Sequence, residues 1–214
     1  RGITESTGAY ICILDADDML ASTYLETAVT ILEQDSSIGW VSPKTLQFGR
    51  VNQIFYQFDY DFPQSLLLCP SPVSAVFRRE LWNDVQGFDE TMIDREDWEF
   101  WIKAGERGWR SKTTASVEFM YRIKHNRFGE EEDVNVASKM QIIERHPWWY
   151  RKFSRPELLR LLNRYKTGAF PQEILNREAL KLLPVTPSTD REKFVEAVEK
   201  IKCLYGSLCH AVVA

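Results

Sequence analysis

The chain of 214 residues lacks any apolar run long enough to cross a bilayer, and no secretory leader is visible. It lacks a C-x-x-C pair. The four cysteines, Cys12, Cys69, Cys203 and Cys209, are scattered, which argues against a zinc site or a disulfide frame and for reduced thiols in a cytoplasmic protein. It lacks an excess of positive charge: Lys and Arg number 27 against 31 Asp and Glu, so nothing global points to nucleic acid. It lacks an initiator Met, and Arg1-Gly2-Ile3 runs almost directly into an apolar strand. A parallel sheet rarely begins at its functional strand, so a preceding part of the domain is expected to be missing. What is present is an ordinary globular balance, 44% hydrophobic and 27% charged, enough for one large domain or one domain plus an extension. Seven Trp stand out. Such rings line sugar-binding clefts, and they are also common in cores.

The stretch around which the chain is organised is Tyr10 to Leu20, Y-I-C-I-L-D-A-D-D-M-L. Five uninterrupted apolar residues, Tyr10 to Leu14, fit a short strand buried on both faces. Asp15, Asp17 and Asp18 follow at once. In an extended chain Asp15 and Asp17 face the same side and Asp18 faces away. Neighbouring carboxylates repel, so a cation should compensate them. A hard divalent ion such as Mg²⁺ or Mn²⁺, completing its shell with water and phosphate oxygens, has the right chemistry. The plainer reading is a solvated acidic turn that caps the next helix.

Further along, Ser22 is placed to cap a helix whose Leu25, Ala28, Val29 and Leu32 share one face. Ile38–Ser42 reads as the next strand, stopped by Pro43, so strand, helix and strand form a βαβ unit with a parallel sheet. Residues 44–68 read as short strands or an aromatic-rich loop. Val73–Phe77 reads as a strand, with a short helix starting at Arg78 and a turn at Gly87–Glu90. A second chemical centre follows, Asp94-Arg95-Glu96-Asp97-Trp98-Glu99-Phe100-Trp101. Residues 96–107 are expected to be helical, with Phe100, Trp101 and Ala104 inward. Glu96 and Asp97 then occupy the first turn, where the helix dipole favours an ionised carboxylate and hence a general base. Acidic residues in a first turn are also ordinary capping. Val117–Ile123 alternates like a strand, and His125 just beyond it is a candidate metal or phosphate ligand. Residues 134–145 read as a helix.

From about residue 146 the character changes to three helix candidates. Between Arg145 and Lys166 seven Lys and Arg stand against one acidic residue, Glu157, with Trp148, Trp149, Tyr150 and Phe153 interleaved. That mixture suits contact with an anionic membrane surface through 145–166. The alternative is a helical extension packed on the main domain with a solvated basic face.

Taken together, three segments resemble the inverting GT-A glycosyltransferases of the family 2 type: G-I-T-E-S-T-G-A-Y-I-C-I-L-D-A-D-D (2–18), A-V-F-R-R-E-L-W-N-D-V-Q-G-F-D-E (75–90) and E-D-W-E-F-W (96–101). The likeness runs from Arg1 to about Pro147. It implies an α/β fold, a partial GT-A domain that is Rossmann-like with a mainly parallel sheet flanked by helices (1–147), and a C-terminal helical extension (148–214). The family's nucleotide-binding first half has no counterpart here. The resemblance also implies a metal-assisted, inverting transfer of a hexosyl group from a nucleotide-sugar donor, a UDP-sugar above all, to a saccharide or lipid-linked acceptor, with cell-envelope polysaccharide as a family-level expectation. By position, Asp15 and Asp17 are the D-x-D pair, with Asp17 on Mn²⁺ or Mg²⁺, Asp15 near the ribose or the metal shell and Asp18 a helper. Asp97 is the base, with Glu96 beside it. Tyr121–His125 resembles the family's Y-R-x-H stretch with one extra residue before the His, which makes Arg122 a donor contact and His125 a metal or diphosphate contact. The catalytic work of this cytoplasmic protein would take place at or near the inner membrane face. Two rivals remain at this level. One is a non-catalytic domain of the same fold that binds a sugar or a partner. The other is a haloacid-dehalogenase-like phosphatase, disfavoured because Met19 stands where Thr or Val is preferred.

Overall fold

The computed structural model describes residues 1–55, 62–124 and 132–151, with Glu192 and Glu196. It is an α/β structure, one sheet flanked by helices. The strands are β1 (Tyr10–Ile11), β2 (Met19–Leu20), β3 (Ile38–Gly49), β4 (Gln53–Ile54), β5 (Val76–Arg78) and β6 (Arg110–Ile123). The helices are α1 (Gly2–Glu5), α2 (Tyr24–Gln34), α3 (Phe62–Ser65), α4 (Arg79–Asp84), α5 (Glu96–Glu106), α6 (Glu132–Arg145) and α7 (Pro147–Tyr150).

Across the sheet the order is β1-β5-β3-β6-β2, with β4 pairing to β3. The longest pairing, β3 with β6, is parallel from Ile38↔Arg110 to Gly49↔Ile123. The four short pairings, β1–β5, β2–β6, β3–β4 and β3–β5, are antiparallel. The sheet is therefore mixed: parallel through its long central pair and antiparallel around it. β5 lies between β1 and β3 and is antiparallel to both, so β1 and β3, the two strands of the expected βαβ unit, run in one direction without touching.

Local chemistry moves several boundaries. The apolar run Tyr10–Leu14 is a strand only over Tyr10–Ile11, and Leu14 is 46% exposed. β1 ends the sheet order and has β5 on one side only among the described residues, so it is covered less than a central strand. In α2 the buried stripe is Tyr24, Ala28 and Leu32, while Leu25 is exposed; Thr23, not Ser22, precedes the first turn. Tyr24 sets this rotation. Its hydroxyl lies 3.0 Å from the Val41 carbonyl and 3.2 Å from that of Ser74, and it accepts the Val76 N–H at 3.1 Å. A phenol with partners at its tip is buried more readily than a leucine that would have to displace it. Pro43 does not stop β3. The register to β6 shifts between Ser42 and Lys44, where a residue without an N–H is tolerated, and Lys44 N–H donates to Thr114 Oγ1 at 2.9 Å instead of to the ladder.

The core is aromatic and centred on α5. Phe100, Trp101 and Ala104 face inward as the helical spacing predicts, and Trp98 and Ile102 are buried on a second side. Trp40 and Trp101 stack at 4.9 Å, and their indole N–H groups donate to the hydroxyl and carbonyl of Ser71 at 2.8 and 3.0 Å. Trp40, Trp98, Trp101, Trp109 and Trp149 are all buried, so they are core rings rather than a sugar platform. Trp149 and Tyr150, half of the aromatic set expected at a membrane, pack with Phe62, Leu66, Trp98 and Ile142, and the Tyr150 hydroxyl donates to the Leu66 carbonyl at 2.6 Å. They are not available to a membrane. The rest of 145–166 beyond Arg151, the expected tail helices, Cys203 and Cys209 lie outside the described residues. Among the described residues no helix is long and apolar enough to cross a membrane.

Candidate functional site

The three aspartates after β1 sit on a turn, not on an extended strand. Asp18 N–H donates to the Asp15 carbonyl at 3.1 Å, closing a β-turn through Ala16 and Asp17. Asp15 stays exposed, whereas Asp18 is folded in to 9% exposure. The cause lies a hundred residues away in β6. β2, directly after the turn, pairs with β6 through Met19↔Met120 and Leu20↔Phe119. The next rung is made by a side chain: Arg122 N–H donates to Asp18 Oδ1 at 2.8 Å. Arg122 Nε donates to the Asp17 carbonyl at 3.0 Å, and its guanidinium lies 4.4 Å over the Phe48 ring. Lys124 Nζ lies 2.7 Å from Asp17 Oδ2.

These contacts give neighbouring carboxylates opposite character. The Lys124 hydrogen bond holds Asp17 below the usual carboxylate range. Burial pushes Asp18 above it, with the charges of Asp17 and Asp15 adding and the Arg122 N–H opposing. Asp18 is thus the structural member, its Oδ1 engaged by backbone. Asp17 and Asp15 are the outward-facing pair. Among the described residues no group of three or more His, Cys, Asp or Glu side chains gathers to hold a metal ion. The donor set does not fit an all-protein cage. One or two carboxylates at an exposed turn do fit Mg²⁺ or Mn²⁺, which keep waters and take phosphate oxygens. His125 lies outside the described residues.

The second centre is the start of α5. Arg95 precedes it with φ 66°, a left-handed conformation that is uncommon for a non-glycine residue and concentrates at functional sites. Asp97 is the second residue of the helix, half-buried, and its Oδ1 accepts the Trp98 N–H at 2.7 Å. Burial pushes its carboxyl up to about 7; the Glu96 charge adds to this, and the Trp98 N–H and Arg95 oppose it. The expectation that the helix dipole would favour the ionised form is therefore overturned in sign, because desolvation outweighs a dipole effect worth about 1 kcal/mol. A carboxylate that titrates near neutrality is well matched to taking up a proton at working pH. Beside it the Cys69 thiol is half-buried and held well above its ordinary range, first by burial and then by the Asp97 charge, so it stays a thiol.

Asp15, Asp17, Asp18 and Arg122 are thus brought together, and Glu96 and Asp97 form a separate group. Among the described contacts nothing joins the two. Two features went unread in the sequence. Lys124 was visible only as a member of a basic run. The other is a buried charge cluster: His146 Nδ1 lies 2.8 Å from Glu106 Oε1, its Nε2 lies 3.6 Å from Glu99 Oε1, and Trp149 Nε1 donates to Glu106 at 2.6 Å. Glu99 and Glu106 stand seven residues apart on α5, hence on one face, which is the only sign of it in the sequence.

No family model matches the chain, and no curated protein matches its sequence. Solved structures do match in fold. S. aureus TarS 1-349 has a TM-score of 0.50 at 16% identity over 94% of this chain and 60% of its own. TarS 1-349 in complex with UDP-GlcNAc gives 0.50 at 15% identity over 94% and 61%. The mannosyltransferase PcManGT from Pyrobaculum calidifontis, in complex with GDP-Man and Mn²⁺, gives 0.49 at 18% identity over 95% and 64%. The chain spans about three-fifths of the length of the TarS structures whose fold it shares.

Proposed function

We propose that the chain is a glycosyltransferase of the family 2 type that moves a sugar from a nucleoside diphosphate sugar to a hydroxyl of a saccharide or lipid-linked acceptor, with inversion. The observation that carries this reading is Asp97: a half-buried carboxylate at the first turn of α5, in a fold shared with a protein solved with UDP-GlcNAc, titrating near neutrality. Asp97 takes the proton of the acceptor hydroxyl as its oxygen attacks the anomeric carbon and the bond to the diphosphate oxygen breaks. Glu96 keeps the base from ionising too early. One base, with no partner carboxylate placed as a nucleophile among the described residues, supports one displacement and therefore inversion. On the donor side Asp18 and Arg122 fix the turn, and Asp17, with Asp15 beside it, would hold a Mn²⁺ or Mg²⁺ ion, which supplies charge neutralisation for the leaving diphosphate when bound. The UDP-GlcNAc seen in TarS supports UDP as the nucleotide.

The test is calorimetric titration of UDP into the chain with and without Mn²⁺, beside Asp17→Ala. Mn²⁺-dependent binding that disappears in the variant is expected. Binding that survives Asp17→Ala, or no binding at all, would remove the donor site from this turn.

A further inference from the structure

We infer that Lys124 is the resident counter-cation of Asp17: the incoming metal must displace it, and the donor's diphosphate draws it away, so that metal and nucleotide bind as a coupled pair. Its metal half rests on the Asp17–Lys124 contact, and its nucleotide half rests on the donor-site reading above.

The contact is not a chance meeting of two loose side chains. Lys124 follows β6 directly, and two residues back Arg122 clamps the turn through both Asp18 Oδ1 and the Asp17 carbonyl. Both backbones are therefore fixed before the side chains meet, and Nζ arrives 2.7 Å from Asp17 Oδ2. A Mg²⁺ or Mn²⁺ ion sits about 2.1 Å from its carboxylate oxygen. Two cations so close to one carboxylate repel, and the lysine, on a flexible stem with 56% of its side chain exposed, is the one able to leave. An exposed pair of this kind is weak, so it orients Asp17 without locking it. A diphosphate offers the displaced ammonium a better partner, since lysine binds phosphate oxygens as a point charge. Metal alone therefore competes with Lys124, whereas metal with nucleotide gains from it. That difference is a coupling between the two ligands and acts equally in both directions.

The experiment uses the full chain, with Mn²⁺ alone followed by loss of the free-ion EPR signal, and UDP in saturating Mn²⁺ followed by calorimetry. Lys124→Met should bind Mn²⁺ alone up to about fivefold more tightly, because a surface ion pair no longer competes. The same variant should bind UDP with Mn²⁺ about tenfold more weakly, because a charge-assisted hydrogen bond is lost. Lys124→Arg, which keeps the charge, should stay near wild type in both. On an Asp17→Ala background the Mn²⁺ gain should vanish. Two affinities that move in the same direction in Lys124→Met, or that do not move, overturn the inference. If wild type binds Mn²⁺ but not UDP, the donor-site reading and the nucleotide half fall together, while the Mn²⁺ arm still decides the competition. If wild type binds neither, both fall.

Discussion

The two carboxylate centres use the same chemical group under opposite conditions. At the turn after β1, Asp17 is part-exposed and meets a cation at 2.7 Å, so its carboxylate is held ionised. At the start of α5, Asp97 is half-buried beside another acid and is held near 7. An ionised, outward carboxylate can hold positive charge but is a poor base. A carboxylate near neutrality can accept a proton but holds a cation weakly. The difference teaches that surroundings and neighbours, not the identity of the residue, give Asp17 and Asp97 opposite character.

Separating the two centres by substitution gives the largest effect. Asp97→Asn keeps the shape and removes the base, so kcat for sugar transfer should fall about 10²- to 10⁴-fold while Mn²⁺-dependent UDP binding is unchanged. Asp17→Ala should do the reverse and remove the binding. A transferase assay run beside the UDP titration checks both, and equal loss of UDP binding in the two variants would abolish the distinction. The sign of the Asp97 shift adds a second readout. A raised carboxyl contributes stability that is present below its unfolded value, near 4, and is lost as pH rises through about 7. Asp97→Asn should therefore flatten that part of the stability–pH curve.

The next effect concerns what keeps α5 in place. His146 is buried between Glu106 and Glu99. Burial alone would push its imidazole down, but the two glutamates outweigh it and raise it to about 9. Removing the histidine takes a partner from two buried acids, leaving the Trp149 Nε1 hydrogen bond on Glu106 and Lys103, 3.1 Å from Glu99. His146→Leu should cost about 3–5 kcal/mol in denaturant unfolding. A raised histidine contributes stability that is fully present below its unfolded value, near 6.5, and is lost as pH rises through about 9. Wild type should show that loss in unfolding midpoints taken across the window, and the variant should not. An equal loss in both would assign it to another group.

How much of this could be read from the sequence depends on how far away the deciding partner lies. Phe100, Trp101 and Ala104 were legible because helical spacing alone puts them on one face of α5. Asp15, Asp17, Asp18 and Asp97 stood out in the sequence as a set of residue types in order. Their geometry was not. The turn at Ala16 is held by partners a hundred residues on, Arg122 in β6 and Lys124 just after it. The local rule for an extended chain knew nothing of that. Pro43 reads as a stop by its own conformational limits, yet the Thr114 hydroxyl gives β3 a way through. Trp149 and Tyr150 look like membrane anchors beside their basic neighbours. Their polar tips, however, reach Glu106 and the Leu66 carbonyl, inside the core. In each case a long-range hydrogen-bond partner overrode a local pattern that was itself read correctly.

The smallest effect sharpens the comparison without breaking it. Glu96 stands next to Asp97, and its charge is the second contribution to the raised carboxyl, after burial. Glu96→Gln keeps the size and the hydrogen-bonding reach of the side chain and removes only that charge. Burial is untouched, so Asp97 should remain well above an ordinary carboxylate but lose part of its elevation. The acid limb of kcat against pH reports the base in the enzyme–substrate complex. In wild type that limb should fall near 7, with activity rising as pH rises through it because the base must be deprotonated. In Glu96→Gln the limb should move to lower pH by less than about one unit, the size expected for one like charge that is partly exposed to solvent. Activity at pH 6 should then rise relative to wild type, while activity at pH 8, where the base is ionised in both, stays the same. A limb that does not move would take the Glu96 charge out of the tuning and leave burial alone to poise Asp97. Loss of activity in Glu96→Gln at every pH would mean that Glu96, not Asp97, carries the proton.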